Sequence, residues 1–189
     1  MSLAYATQNS LLLESLIKFY SANNNKNLER IIPIINGESA ISLRLVDWYA
    51  TNYTKKNFTI LEFKDKRGKM KRFKVYNDYK LQLKAHSKKR FDPFCRWDRI
   101  NFPYKNDTYI QTTIGQLNFF KWLLENNIVD DIEDNLDNIE KDMNKRNSTA
   151  KFRGKKNKKS MTRKKREELS VSATKSIKKE KVEIVVRFD

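Results

Sequence analysis

The stretch Thr112–Asn126, TTIGQLNFFKWLLEN, constrains everything around it. Leu117, Phe120 and Leu124 recur at helical spacing, and Ile114, Phe119, Trp122 and Leu123 widen their stripe past half the circumference. Only Asn118, Lys121 and Glu125 form a polar strip, so this helix has to be covered on most sides. Thr113 followed three residues on by Gln116 predicts a capping box, each side chain serving a backbone donor at the other's end. The cover must come from the other segments of a small globular domain.

Upstream, Ser10–Ser21 carries Leu12, Leu13, Leu16, Ile17, Phe19 and Tyr20 on one side, an amphipathic helix with Ser10 as its cap. Asn23–Asn27 is a polar break. Ile31–Ile35 is β-branched but holds Pro33, which cannot donate to a ladder, and therefore reads as an edge strand or extended loop. Asn36-Gly37 marks a turn, and Ile41, Leu45, Trp48 and Tyr49 place a second amphipathic helix within Ser39–Tyr53. Phe58–Lys64 and Met70–Tyr76 both alternate, and the loop between them carries Gly68, which predicts a hairpin. Asn77 or Asp78 can cap a short helix to about His86, and Asp92-Pro93 is a turn. Arg99–Tyr104 and Thr108–Thr112 form a second hairpin leading into the central helix. Beyond it, Ile128, Val129, Ile132, Leu136, Ile139 and Met143 mark an acidic amphipathic helix ending near Asn144. The expected class is α+β: one domain over 1–144, of amphipathic helices with two β-hairpins.

At Lys145 the composition changes. From there to Lys181 stand 16 Lys and Arg against three Glu, or +13 of the chain's net +17. The large apolar residues Phe152, Met161, Leu169, Val171 and Ile177 are too sparse to offset chain entropy, so 145–181 is expected to be a disordered arm. Over 182–189, Val182, Ile184, Val186 and Phe188 alternate like a strand; this end either joins a sheet edge, in this domain or another molecule, or frays.

Unpaired Lys and Arg neutralise phosphates and release counterions, giving salt-sensitive affinity without sequence preference. Lys151, Arg153, Lys155, Lys156, Lys158, Lys159, Arg163, Lys164, Lys165 and Arg166 are thus candidate nucleic-acid contacts. The runs KKNKK and RKKR around Ser160-Met161-Thr162 also match a nuclear import signal. A second basic block, Lys64–Lys105, has 15 Lys and Arg against four Asp and adds Lys71, Arg72, Lys74, Lys88, Lys89 and Arg90 as candidates. Aromatics from Phe63 to Tyr104 interleave with these cations. They either stack on the bases of single strands or turn inward to the core. Residues 130–142 hold seven acids and Lys141, and would shield that face or pair with the arm of a neighbouring molecule.

One Cys and one His give neither an intrachain disulfide nor a four-ligand zinc site, and fit a reducing compartment. The first cation is Lys18, so no charged leader is expected, and no apolar run approaches the roughly 20 residues that span a bilayer. His86 and Cys95 lack an orienting third group, and no Walker or GxGxxG pattern occurs among four glycines. Catalytic residues, metal ligands and cofactors are therefore not expected.

Three stretches carry a resemblance: ISLRLVDWYATNYTKKN from Ile41, FDPFCRWDRI from Phe91, and TTIGQLNFFKWLLENNIVDDIEDNLDNIEKDMN from Thr112. Together they resemble an uncharacterised family spread through nucleocytoplasmic large DNA viruses, the mimivirus group included, over about residues 39–144. The resemblance brings no catalytic residue. It implies a viral protein with a folded body and a variable charged tail, located in a cytoplasmic viral factory or in the virion, with the host nucleus open through the basic arm. The expected function is non-enzymatic nucleic-acid binding, DNA or RNA, without much sequence preference. The alternative is a scaffold protein of factory or virion that meets other viral proteins through multivalent electrostatic contacts. A nuclease or nucleic-acid-modifying enzyme is disfavoured for want of a motif.

Overall fold

The central helix, α6, spans Ile114–Glu125, with Leu117, Phe119, Phe120 and Leu123 at most 1% exposed. The computed structural model describes residues 7–22, 24–64, 68–105, 108–156 and 179–181, the backbone alone at 64, 147–156 and 179–181. In chain order the described elements before α6 are α1 (Gln8–Ser21), α2 (Lys26–Asn36), α3 (Leu43–Trp48), a π-helical turn (Tyr49–Tyr53), α4 (Thr54–Asn57), β1 (Ile60–Lys64), β2 (Met70–Lys74), α5 (Val75–Arg90), β3 (Arg99–Pro103) and β4 (Thr108–Thr113). After α6 come α7 (Ile128–Asp134), α8 (Leu136–Lys156) and β5 (Lys179–Lys181). The α+β class holds, and both hairpins form.

Helices α1, α5 and α7 and strand β4 all pack against α6. On one side the buried Tyr20 hydroxyl of α1 donates to the Leu117 carbonyl at 2.7 Å. On another, Phe91, Phe119 and Trp122 form an aromatic cluster with ring centroids 4.9–5.6 Å apart. Trp122 Nε1 donates to Asp78 of α5 at 2.7 Å, so the polar atom of the largest ring is satisfied. Thr113 caps α6 by accepting from the Gln116 amide at 3.1 Å, as expected. The reciprocal half of the box does not form. Gln116 instead accepts from Thr112 Oγ1 (2.8 Å) and donates to the Pro93 carbonyl (2.9 Å), tying the turn before β3 to the helix start. Asn118 is likewise buried, and donates to the Arg90 carbonyl at 2.9 Å.

In the first hairpin Leu61 faces Phe73 and Glu62 faces Arg72; in the second, Phe102 faces Ile110, both 1% exposed. Strand β5 lies antiparallel on the free edge of β4, so the second sheet has the order β3-β4-β5. The contact begins at Lys179, ahead of the alternating residues; 182–189 lie outside the described residues, as do 157–178.

Thr7, not Ser10, caps α1, and α5 starts at Val75, ahead of Asn77 and Asp78; four further expectations are corrected. Ile31–Ile35 belongs to helix α2, not to a strand or loop. Leu28, Ile31, Ile32, Ile34 and Ile35 are all buried there. At about 1.5–3 kcal/mol each, their burial outweighs the roughly 3 kcal/mol that a helical proline costs. Gly37 then ends α2 at φ 74°, where Cβ-bearing residues are disfavoured, with the Glu38 amide donating to Pro33 at 2.8 Å. The second helix starts at Leu43, capped by Ser42, and widens into a π turn before ending at Asn57. The hydroxyls of Thr51 and Thr54 bond back to the carbonyls of Asp47 and Ala50 beside this turn. The acidic helix is two helices, broken at Asn135, whose side chain bonds back to Asp131. Its second part runs past Asn144 to Lys156, because extending a helix already anchored by Ile139 and Met143 needs no new nucleus. The short helix α5 includes Lys88–Arg90, but Ser87 (φ 58°, ψ 168°) breaks it directly after His86.

Candidate nucleic-acid interface

The hairpin β1–β2 carries Lys71, Arg72 and Lys74 of the basic block. Antiparallel pairing sets Ile60, Glu62, Met70, Arg72 and Lys74 on one face of the hairpin and Leu61, Phe63, Lys71 and Phe73 on the other. Phe73 is buried against Trp122, whereas Ile60, Met70, Arg72 and Lys74 are exposed. Arg72 pairs with its cross-strand neighbour Glu62 at 2.9 Å. Lys71 lies 5.6 Å from the centroids of both Phe63 and Phe73, capping the edge of the core. Its ammonium and that of Lys74 meet no carboxylate among the described residues.

The second cluster, Lys88, Lys89 and Arg90, ends α5 beyond the Ser87 break. Lys89 pairs with Asp98 at 3.2 Å, Arg90 donates to Gln8, and Lys88 is exposed. Lys151, Arg153, Lys155 and Lys156 lie on the backbone of α8. Lys158, Lys159, Arg163, Lys164, Lys165 and Arg166 fall outside the described residues; of the segment 145–181 expected to be disordered, 145–156 belong to α8 and 179–181 to β5, and the rest lies outside the described residues. The structure thus brings Lys71, Arg72 and Lys74 onto one hairpin and holds Lys88, Lys89 and Arg90 together at a separate helix end.

The interleaved aromatics mostly turn inward. Phe73, Phe91, Phe94 and Phe102 are buried, and Trp97 is the exposed exception within the block. The most exposed ring lies just ahead of it. Phe58, expected in the first strand, instead ends α4 in the left-handed region at φ 51° and is 84% exposed. Beside it a cleft of about 520 Å³ runs between α4, the hairpin and α5, lined by Lys55, Phe58, Ile60, Lys74, Tyr76 and Asn77. Lys55 sits 5.6 Å over the Tyr76 ring and, like Lys74, faces no carboxylate among the described residues. A further concavity of about 520 Å³ continues over Arg72 toward Leu81, itself 64% exposed. Lys55 and Phe58 were not among the sequence candidates. Strand parity held the clue, since Phe58 and Ile60 fall on the side of Glu62 and Lys64.

A wider concavity, about 830 Å³, lies between α1, α5 and α6 and includes Asp78, His86 and Lys121. Its polar groups serve one another: Asp78 accepts from Trp122, and Lys121 donates to Ser15 at 2.9 Å. His86 rests against the Phe91 ring; burial, then Arg90 and Lys121, lower its pKa. Cys95 is half-buried, not buried as a small core residue. Among the described residues no group of three or more His, Cys, Asp or Glu could hold a metal. No described helix is long and apolar enough to cross a membrane.

Acids are consumed inside the fold. Asp92, 3% exposed, takes a bidentate grip from Arg96, both contacts at 2.7 Å. Burial and nearby Asp92 push Asp47 up to about 6, against the lowering pull of Arg96 and Lys88. In the acidic helices Asp130 and Glu133 pair with Arg30, Asp131 accepts from the Tyr49 hydroxyl, and Asp142 holds Trp48 Nε1 and Lys56. Tyr49 is correspondingly raised far above the usual phenol range, through burial and then Asp131.

A relative from Acanthamoeba polyphaga mimivirus, "Uncharacterized protein L507", is 44% identical over 137 residues, covering 70% of this chain and 52% of its own length. The chain thus spans about half the length of the relative it matches. No solved structure matches it. A family model described as a family of unknown function, DUF7197, matches residues 2–188. The viral likeness read from the three stretches is borne out, and the chain belongs to the family of unknown function DUF7197.

Proposed function

We propose that this chain is a non-enzymatic nucleic-acid-binding protein of a large DNA virus, gripping DNA or RNA without marked sequence preference. The observation that carries the reading is an asymmetry of pairing. Four of the seven acids in 130–142 are engaged by Arg30, Tyr49, Trp48 and Lys56, while Lys55, Lys71 and Lys74 meet no carboxylate among the described residues. Cations left over by that pairing, in a chain whose residues 145–181 carry a net +13, form the electrostatic footprint of a polyanion site. The same asymmetry weakens the scaffold alternative, because among the described residues the acidic helices keep only Asp134, Asp137 and Glu140 outside such contacts for a neighbour's arm. A viral factory or the virion is the proposed location.

The test is a gel-shift titration at two salt concentrations. Wild type is compared with a variant in which the Lys and Arg residues of 155–166 become Gln, which keeps chain length and the packed part of α8. Affinity is expected to fall at least about tenfold, or about 1.4 kcal/mol, with a shallower salt dependence. Unchanged affinity and slope would move the grip to the hairpin face. Absence of nucleic-acid binding by wild type would end the proposal.

A further inference from the structure

Phe58 bears two costs with no visible structural return. Its backbone is left-handed at the position ending α4, where glycine is the usual residue, and its ring is 84% exposed. A residue under backbone strain whose side chain contributes little to the core is a place to look for function. Lys55 and Lys74, both without carboxylate partners among the described residues, line the same cleft as this ring, as does Tyr76.

We infer that this cleft takes single-stranded nucleic acid, one base stacking on Phe58 while Lys55 and Lys74 hold flanking phosphates. The inference rests on the nucleic-acid reading above and adds strand type and point of contact. Base faces are open to an aromatic ring only where the strand is unpaired; in a duplex they are stacked on one another. Stacking tolerates any base, so the contact adds affinity without adding sequence preference. The exposed Phe58 ring favours this occupant over an acidic peptide, which supplies carboxylates but no flat ring face. An anionic membrane is less suited, because the ring borders a concave cleft and not a projecting tip.

The experiment uses the full chain and fluorescence anisotropy with a labelled thymidine strand of about twelve nucleotides and a duplex of equal length. Salt is set near about 0.3 M, where counterion release contributes less and stacking persists. Wild type is expected to favour the single strand. Phe58→Gly, which relieves the left-handed strain and therefore keeps the fold, is expected to lose about tenfold of single-strand affinity with duplex affinity unchanged. Phe58→Trp restores it. The inference falls if Phe58→Gly leaves single-strand affinity intact, or lowers single-strand and duplex affinity alike. It falls too if anionic vesicles or polyglutamate displace the strand from wild type but not from Phe58→Gly. Where wild type binds both forms equally and Phe58→Gly changes neither, only this inference is lost; where wild type binds neither, the nucleic-acid reading is lost with it.

Discussion

Replacing Gly115 by alanine tests the joint on which the position of Lys88–Arg90 depends. Gly115 is the second residue of α6, and a Cβ there would lie 2.8 Å from the Lys89 carbonyl oxygen and 3.4 Å from the carbonyl carbons of Lys89 and Arg90. The obstacle is backbone, so no side-chain rotation relieves it. That backbone is fixed from several sides: Asn118 donates to Arg90 O at 2.9 Å, the Asp92 amide to Gly115 O at 3.2 Å, and Gln116 to Pro93 O at 2.9 Å. Making room means moving the end of α5 away and stretching these bonds together. Overpacking of this kind costs about 1–3 kcal/mol, whereas glycine-to-alanine in a helix returns at most about 1 kcal/mol, and less in a first turn. The net expectation is a loss of about 1–2 kcal/mol. For a domain of this size that is a fall of about 3–8 °C in Tm. Urea unfolding followed by circular dichroism gives the stability directly, and an unchanged m-value would show that the folded state stays compact. A neutral or stabilised Gly115→Ala protein would refute the close approach of α5 and α6. With it would go the account of how the second cationic cluster is held.

Three other substitutions address separate links. Tyr20→Phe removes the hydroxyl that serves Leu117 O in a fully buried site and should cost about 1–1.5 kcal/mol in the same urea assay; no loss would mean the two helices do not meet there. Arg96→Met strands Asp92 as a buried charge and should cost about 2–4 kcal/mol, part of which the added change Asp92→Asn should recover. Asp47 sits at about 6 in the folded protein against about 4 unfolded, so the folded state binds the extra proton and stability falls as pH rises between them. Asp47→Asn should therefore be the more stable protein by about 3 kcal/mol at pH 8 and nearly equal at pH 4; a pH-independent difference contradicts this.

Much of this fold is legible in local pattern. The breadth of the apolar stripe in Leu117–Leu124 implies a helix covered on most sides, because burial area is a property of which residues share a face. Both hairpins follow from alternation around short loops, and Ser87 stops the helical geometry where the pattern of α5 fades at His86. What local pattern missed depended on competition with partners far along the chain. Pro33 argues for an extended segment only until the burial of Ile31, Ile32 and Ile35 is weighed against it, and that weight exists only once a core is there to receive them. Gln116 makes half a capping box because its side-chain oxygen is taken by the Thr112 hydroxyl while its amide nitrogen is drawn to the carbonyl of Pro93, distant in sequence. The net charge marks a polyanion partner from composition alone. Which cations are left for it is a question of pairing: Asp131 and Asp142 are taken up by Tyr49, Trp48 and Lys56, whereas Lys55 and Lys74 end beside an exposed ring in a cleft. Charge is additive along a sequence, but a free charge is decided by distance, and distance is set only when the chain has folded.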